Sequence, residues 1–136
     1  MIKTICYLSD SIAHESMEKL ETLYLKARAN NKKNNITGVL IYNNLNFLQV
    51  LEGEEEVVNA TFDRIRFDRR HRNIFEVINT TVDVRIFEDY NFGFTIVNSK
   101  SELKNLYDYL EWLRNGDHKL ANDVINMVEN FIDRKS

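Results

Sequence analysis

Phe47-Leu48-Gln49-Val50-Leu51-Glu52-Gly53 is an apolar strand interrupted by an amide. Side chains alternate between faces along a strand, so Gln49 lies on the same face as Phe47 and Leu51. A buried amide left without partners costs roughly 1–3 kcal/mol. Two readings follow. Either Gln49 faces water on an edge strand or bonds a neighbouring side chain, or its donors and acceptor meet something that the core is built to receive.

Working outward, Thr37 to Tyr42 reads as a second strand, joined to the first through Asn43-Asn44-Leu45-Asn46, a hairpin signal. Upstream, Ile2 to Leu8 is a strand with Ile5 and Tyr7 on one face. Ser9-Asp10-Ser11 supplies helix-capping residues. A helix is expected from Ile12 to Ala29, with Leu20, Leu23, Tyr24 and Ala27 at three- and four-residue spacing. Asn30 to Asn35 reads as a polar loop. Downstream, Gly53 ends the strand and Glu54, Glu55 and Glu56 open a helix at its positive end. Val58, Phe62 and Ile65 mark its core face, and Arg69, Arg70, His71 and Arg72 close it. Phe75 to Val84 and Tyr90 to Val97 read as two further strands. Two amphipathic helices finish the chain, Ser101 to Arg114 with Leu103, Leu106, Leu110 and Leu113, and Lys119 to Arg134 with Leu120, Val124, Met127 or Val128, and Phe131.

The order β-α-β-β-α-β-β-α-α predicts an α+β protein on a split β-α-β, ferredoxin-like plan. Two helices cover one face of the sheet, and the last two cover the other face or meet a partner. Residues 1–97 form the sheet-bearing unit, and 98–136 a helical pair that caps the same domain. The plan by itself says little about function, because it hosts many.

Composition narrows the classes. The 136 residues suit one domain, and the net charge of −3 offers no field for nucleic acid or an anionic membrane. The single cysteine, Cys6, excludes an internal disulfide, and no Cys/His spacing suits a metal. Neither a signal peptide nor a membrane-length apolar run is present, which points to the cytoplasm.

Several other polar residues raise the same question as Gln49. Tyr7 sits near the end of a core strand, where a buried hydroxyl needs a partner. Asn30 and Asn31 follow the first helix; as amides they can cap it or hydrogen-bond a heterocycle edge. Arg64, Asp68, Arg70 and His71 gather towards the end of the second helix. They fit a solvated, dipole-matched helix end, or contacts to a phosphate or ribityl chain.

The joint order of these features carries a resemblance. Tyr7-Leu8-Ser9, Asn30-Asn31, Asn35-Ile36-Thr37-Gly38-Val39-Leu40-Ile41-Tyr42, Phe47-Leu48-Gln49-Val50-Leu51-Glu52-Gly53, Asp68-Arg69-Arg70-His71 and Arg85-Ile86-Phe87 together resemble the BLUF family of blue-light sensors using flavin, from about Ile2 to Val97. The resemblance implies a flavin, FAD by family expectation with FMN and riboflavin as alternatives, held between the two helices on the sheet. It implies that Tyr7 is the electron and proton donor, Gln49 the switching amide, and Asn31 and Asn30 binding positions at the ring's polar edge. Arg64, Asp68, Arg70 and His71 fall where members place polar groups around the flavin's edge or tail. Members often carry Trp-x-Met in the last strand, thought to relay the signal. Here Tyr90 and Phe92 stand at those positions.

The resemblance implies a photoreceptor and not an enzyme, signalling through an unidentified downstream protein or through self-association as a homo-oligomer. The rival reading is a flavin-free ferredoxin-like interaction module. An acylphosphatase-like hydrolase is disfavoured because Ser9-Asp10-Ser11-Ile12-Ala13-His14 contains neither arginine nor glycine to cradle phosphate.

Overall fold

A computed structural model describes residues 1–11, 25–26, 28–43, 46–67, 71–87, 95–97, 100–115 and 119–135. Its strands are β1 (Ile2–Ser11), β2 (Thr37–Asn43), β3 (Asn46–Glu54), β4 (His71–Val82) and β5 (Thr95–Val97). Its named helices are α1 (Glu55–Arg66), α2 (Lys100–Asn115) and α3 (Lys119–Lys135). The sheet order is β4-β1-β3-β2-β5, antiparallel except where β5 runs parallel to β2. β1 and β2 are therefore parallel with β3 between them, as the ferredoxin-like plan requires.

The apolar strand that carries Gln49 lies in the interior of this sheet. β3 pairs with β1 on one side and β2 on the other, so Gln49 stands opposite both Tyr7 and Leu40. That position excludes the edge-strand reading of Gln49.

Alternation along the strands sorts the core into two layers. Ile5, Tyr7, Ile36, Leu40, Phe47 and Leu51 pack with Val58 and Phe62 of α1. Cys6, Val39, Ile41, Leu48 and Val50 pack under Leu106, Leu110, Val124, Val128 and Phe131 of the two C-terminal helices. The final helix pair thus covers the far face of the sheet. Full burial of each such side chain contributes about 1.5–3 kcal/mol. Val128 is fully buried and Met127 partly so, which settles the choice between them.

The Ile-Thr-Gly turn into β2 is a packing requirement. Gly38 has φ 144°, and a Cβ there would lie 1.9 Å from the Val50 carbonyl oxygen. Only glycine lets β2 approach β3 this closely.

Several boundaries differ from those the sequence predicts. Ser9, Asp10 and Ser11 belong to β1 and do not cap a helix, because β1 stays paired with β3 and β4 to that point. Asp10 accepts a hydrogen bond from Asn46 Nδ2 at 3.0 Å. The polar run expected as a loop is helical through residue 33. It closes by a left-handed cap at Asn35, φ 56°, with Ile36 N donating to Asn31 O at 2.8 Å and Asn35 N to Lys32 O at 3.2 Å. Most of the helix expected over 12–29 lies outside the described residues. β3 continues past Gly53 to Glu54, and the Met1 carbonyl accepts the first α1 amide, Glu55 N, at 3.0 Å.

The expected basic helix end is also displaced. α1 stops at Arg66, so Arg64 and Arg66 supply the cations of its last turn, while His71 and Arg72 lie in β4. β4 starts earlier than expected because its first residues pair with Ser11 and Asp10. The described part of β5 is Thr95–Val97, and Tyr90 and Phe92 fall outside the described residues.

Candidate functional site

Register builds the centre of the site. Tyr7 and Gln49 are direct cross-strand partners, which brings side chains on one face close enough to touch. The Tyr7 hydroxyl donates a hydrogen bond to Gln49 Oε1. Tyr7 is fully buried and Gln49 is 5% exposed. The Tyr7 ring lies 5.3 Å from that of Phe62, tilted by 44°, and the Arg66 guanidinium sits over the Phe62 ring, 5.4 Å from its centroid. β4 shifts register against β1 between Cys6 and Tyr7 and again between Leu8 and Asp10. The extra β4 residues increase local twist on either side of Tyr7, a usual way of re-aiming a side chain beside a site.

Unspent hydrogen-bonding capacity is the informative feature. Among the described residues, Tyr7 is the single hydrogen-bond partner of the Gln49 side-chain amide. Its Nε2 makes no hydrogen bond to another described residue and can still donate. Asn31 is also 5% exposed, and its side-chain amide makes no hydrogen bond to another described residue. A tyrosine hydroxyl bonded to an amide that can still donate suits a bound heterocycle with donors and acceptors at its edge. This donor set fits a flavin.

The remaining expected residues are distributed differently. Asn30 is exposed, one position along from buried Asn31. Arg64 is exposed and donates from Nη2 to Thr61 Oγ1 at 3.2 Å. His71 sits at the start of β4, opposite Ser11, and Asp68 and Arg70 lie outside the described residues. Cys6 faces the opposite layer, where burial pushes its thiol up to about 12. It is a packing residue with no thiolate to offer.

Sequence reasoning passed over Glu52. This acid is fully buried on the far face of β3. Its Oε2 accepts from Thr4 Oγ1 at 2.7 Å, and its Oε1 accepts from Ile86 N at 2.9 Å and Phe87 N at 2.7 Å. Burial lifts its pKa above the ordinary carboxylate value, while these donors and Arg85 pull it back down. The available signal was its phase: alternation from Leu48 and Val50 places Glu52 in the apolar layer. At a strand end it reads instead as a solvated terminus.

Comparison with known proteins agrees with this geometry. A sequence profile for "Sensors of blue-light using FAD" matches residues 2–93. The blue light- and temperature-regulated antirepressor BluF of Escherichia coli is 34% identical over 87 residues, covering 64% of this chain and 22% of that protein. Photoactivated adenylate cyclase subunit alpha of Euglena gracilis is 33% identical over 84 residues, covering 62% of this chain and 8% of that protein. The chain thus spans less than a quarter of either relative. Among solved structures, the BlsA ground state superposes with TM-score 0.63 at 32% identity, covering 79% of this chain and 72% of that one. Klebsiella pneumoniae BlrP1 with FMN and cyclic diGMP gives TM-score 0.68 at 30% identity, covering 80% and 30%. With the profile spanning most of its length and the Tyr7–Gln49 pair in its sheet, the chain belongs to the BLUF family, the sensors of blue light using FAD.

Proposed function

We propose that this chain is a non-enzymatic blue-light photoreceptor that holds a flavin against the Tyr7–Gln49 pair and signals by rearranging that pair's hydrogen bonds. The observation that carries the reading is the buried Tyr7 hydroxyl donating to a Gln49 amide whose nitrogen keeps its donors unspent. Gln49 and Asn31 would hold the ring's polar edge. Asn30 and Arg64, both exposed, and Asp68, Arg70 and His71 would stand nearer its rim and tail. FAD is favoured by the family description, and FMN, named with BlrP1, and riboflavin present the same ring.

A bound flavin supplies blue-light absorption and, once excited, a strong one-electron oxidant. The chain's own part is proton handling. Tyr7 is placed to be the electron donor to that oxidant, and its hydroxyl proton would leave along the existing bond to Gln49 Oε1. The amide accepts at oxygen and donates at nitrogen, so Gln49 can carry a proton across itself. With electron and proton both returned to Tyr7, nothing would be consumed. The lasting change is a Gln49 amide that is rotated or in its other tautomer, with a different donor presented to a carbonyl acceptor. A bound flavin that gained such a donor would absorb further to the red.

Output would leave through the helical pair, treated as cap and output element of the same domain, to a downstream protein or to self-association as a homo-oligomer. The E. coli relative, named an antirepressor, favours a protein target. Tyr90 and Phe92 are proposed relay positions, and Phe92→Met is expected to change dark recovery. A cytoplasmic setting, with neither membrane nor nucleic acid as partner, is part of the proposal; among the described residues no helix is long and apolar enough to cross a membrane.

The test is the absorption spectrum of the purified protein in the dark and after blue light. A flavin spectrum that shifts slightly red and reverts is expected, and Tyr7→Phe should keep the spectrum while losing the shift. A colourless protein that takes up no added flavin would overturn the proposal and leave a ferredoxin-like interaction module.

A further inference from the structure

The far face of the sheet contains a second polar arrangement, and it begins three residues from Gln49 on the same strand. The Glu52 carboxylate gathers donors from two directions, Thr4 Oγ1 on β1 and the backbone amides of Ile86 and Phe87. Residues 85–87 belong to no strand or helix, yet Ile86 and Phe87 are buried. A second fastening lies alongside, where Arg85 Nη1 donates to Thr37 Oγ1 at 3.0 Å. Burying a carboxylate costs several kcal/mol unless its lone pairs are met. An apolar residue at position 52 would fill the layer at lower cost, but it could not grip two backbone amides of a segment that lies outside the strands.

The gripped segment touches α2. Tyr109 of α2 donates its hydroxyl to the Ile86 carbonyl at 2.6 Å, and its ring stacks on Phe87 with centroids 5.9 Å apart. The Tyr109 ring in turn lies 5.6 Å from Trp112, which is 60% exposed. A continuous series of hydrogen bonds and ring contacts therefore leads from β3, through the peptides of Ile86 and Phe87, to the outer surface of α2. β3 is clamped between two neighbouring strands, so a change in Gln49 that twists its peptide reaches Glu52 through a stiff backbone.

We propose that Glu52 is a positioning residue for output: its carboxylate clasps residues 85–87 to the strand that carries Gln49, and the Tyr109 hydroxyl passes the position of that segment to α2. This rests on the photoreceptor reading above. It names a route that leaves β3 directly and does not need Tyr90 or Phe92. A clasp with a purely structural role would lower stability equally in dark and light. A coupling residue changes what α2 does on illumination while leaving the colour change intact, because the colour change is made on the other face.

The experiment uses the full chain with flavin bound, as wild type, Glu52→Gln and Tyr109→Phe. Each is measured for its reversible red shift and for light-dependent amide exchange over residues 100–115. Emission from Trp112, the chain's one tryptophan, serves as a second reporter. The expected result is a red shift of equal size in all three, with the light-induced change at α2 reduced about threefold or more in both variants, in line with the usual size of coupling effects. Variants that keep the wild-type α2 response, or a wild type that shifts in colour without any α2 response, would overturn the inference. A wild type with no reversible shift removes the photoreceptor reading itself, a distinct outcome. Should Glu52→Gln fail to fold, Tyr109→Phe decides alone, since it removes one oxygen and keeps the ring.

Discussion

The two faces of the sheet bury polar side chains in opposite ways. Under the C-terminal helices, Glu52 finds a donor for each oxygen within the chain. On the α1 face, Gln49 receives one hydrogen bond, from Tyr7, and its nitrogen makes none to a described residue. Glu52 carries the greater desolvation burden, yet it has no place for an outside ligand, because both its oxygens are met from within the chain. Unpartnered polarity alone does not mark a binding face, since Asn122 Oδ1 on α3 is also buried without a partner among the described residues; the α1 face is distinguished by pairing a tyrosine hydroxyl with an amide that can still donate.

The strongest way to break this comparison is to destroy the sheet that separates the faces. Gly38→Ala puts a Cβ 1.9 Å from the Val50 carbonyl oxygen at φ 144°. A loss of about 4 kcal/mol or more is expected, since the clash is with backbone and cannot be relieved by a rotamer. Thermal melting should show no cooperative native state near room temperature. A variant that melts like wild type would mean that β2 slides freely against β3, and that register does not position Gln49. Next in size is Leu110→Ala in the far core. It should cost about 2–5 kcal/mol while the reversible red shift keeps its amplitude, measured on the same sample. Loss of the shift in a protein that still melts cooperatively would show that the two faces are not separable.

The sequence made one face legible and left the other obscure, for physical reasons. Gln49 stood out because an uncharged amide inside Phe-Leu-Gln-Val-Leu breaks an apolar run, and its partner Tyr7 lay in a strand of matching phase. The leucine stripes of the last two helices announced their buried sides, and Leu106, Leu110, Val124 and Val128 are in the core. Glu52 stayed hidden because a charge beside a glycine reads as the end of a strand. Its need for burial comes from Ile86 and Phe87, more than thirty residues away, and local pattern does not contain that contact. The boundaries of β1 and β4 were misplaced for the same reason. Ser9 to Ser11 have the local chemistry of a helix cap, but pairing along both edges of β1 overrides it. Asn30 to Lys33 read as loop because asparagine is a weak helix former. The cap that ends the helix sits later, at Asn35, where asparagine tolerates a positive φ.

A finer cut through the proposed flavin site comes from the two adjacent asparagines. Asn31 is buried and Asn30 is exposed. Asn31→Ala should weaken flavin binding by about tenfold, the loss of roughly 1.4 kcal/mol, and Asn30→Ala by less than about twofold. Titrating apoprotein with flavin and following the quenching of its emission measures both. Equal losses would place the ligand's edge across both residues and remove burial as the criterion that separates them.

The smallest effect concerns Glu52 on the far face, and its sign is what matters. Burial raises the Glu52 pKa above the ordinary carboxylate value, outweighing the backbone amides, Thr4 and Arg85, which lower it. Between the ordinary value and the raised one, the folded protein holds a proton that the unfolded chain has released. The folded state binds more protons in that window, so stability falls as pH rises through it and levels off above the folded pKa. Glu52→Gln removes this dependence. Melting temperatures from about pH 4 to about pH 8 should therefore show wild type losing stability relative to Glu52→Gln as pH increases, with a plateau at the alkaline end. A difference that grows in favour of wild type would mean that the donors prevail and hold the carboxyl below its ordinary value. The clasp would then be strongest ionised, and the contrast between the two faces would be greater than burial alone implies.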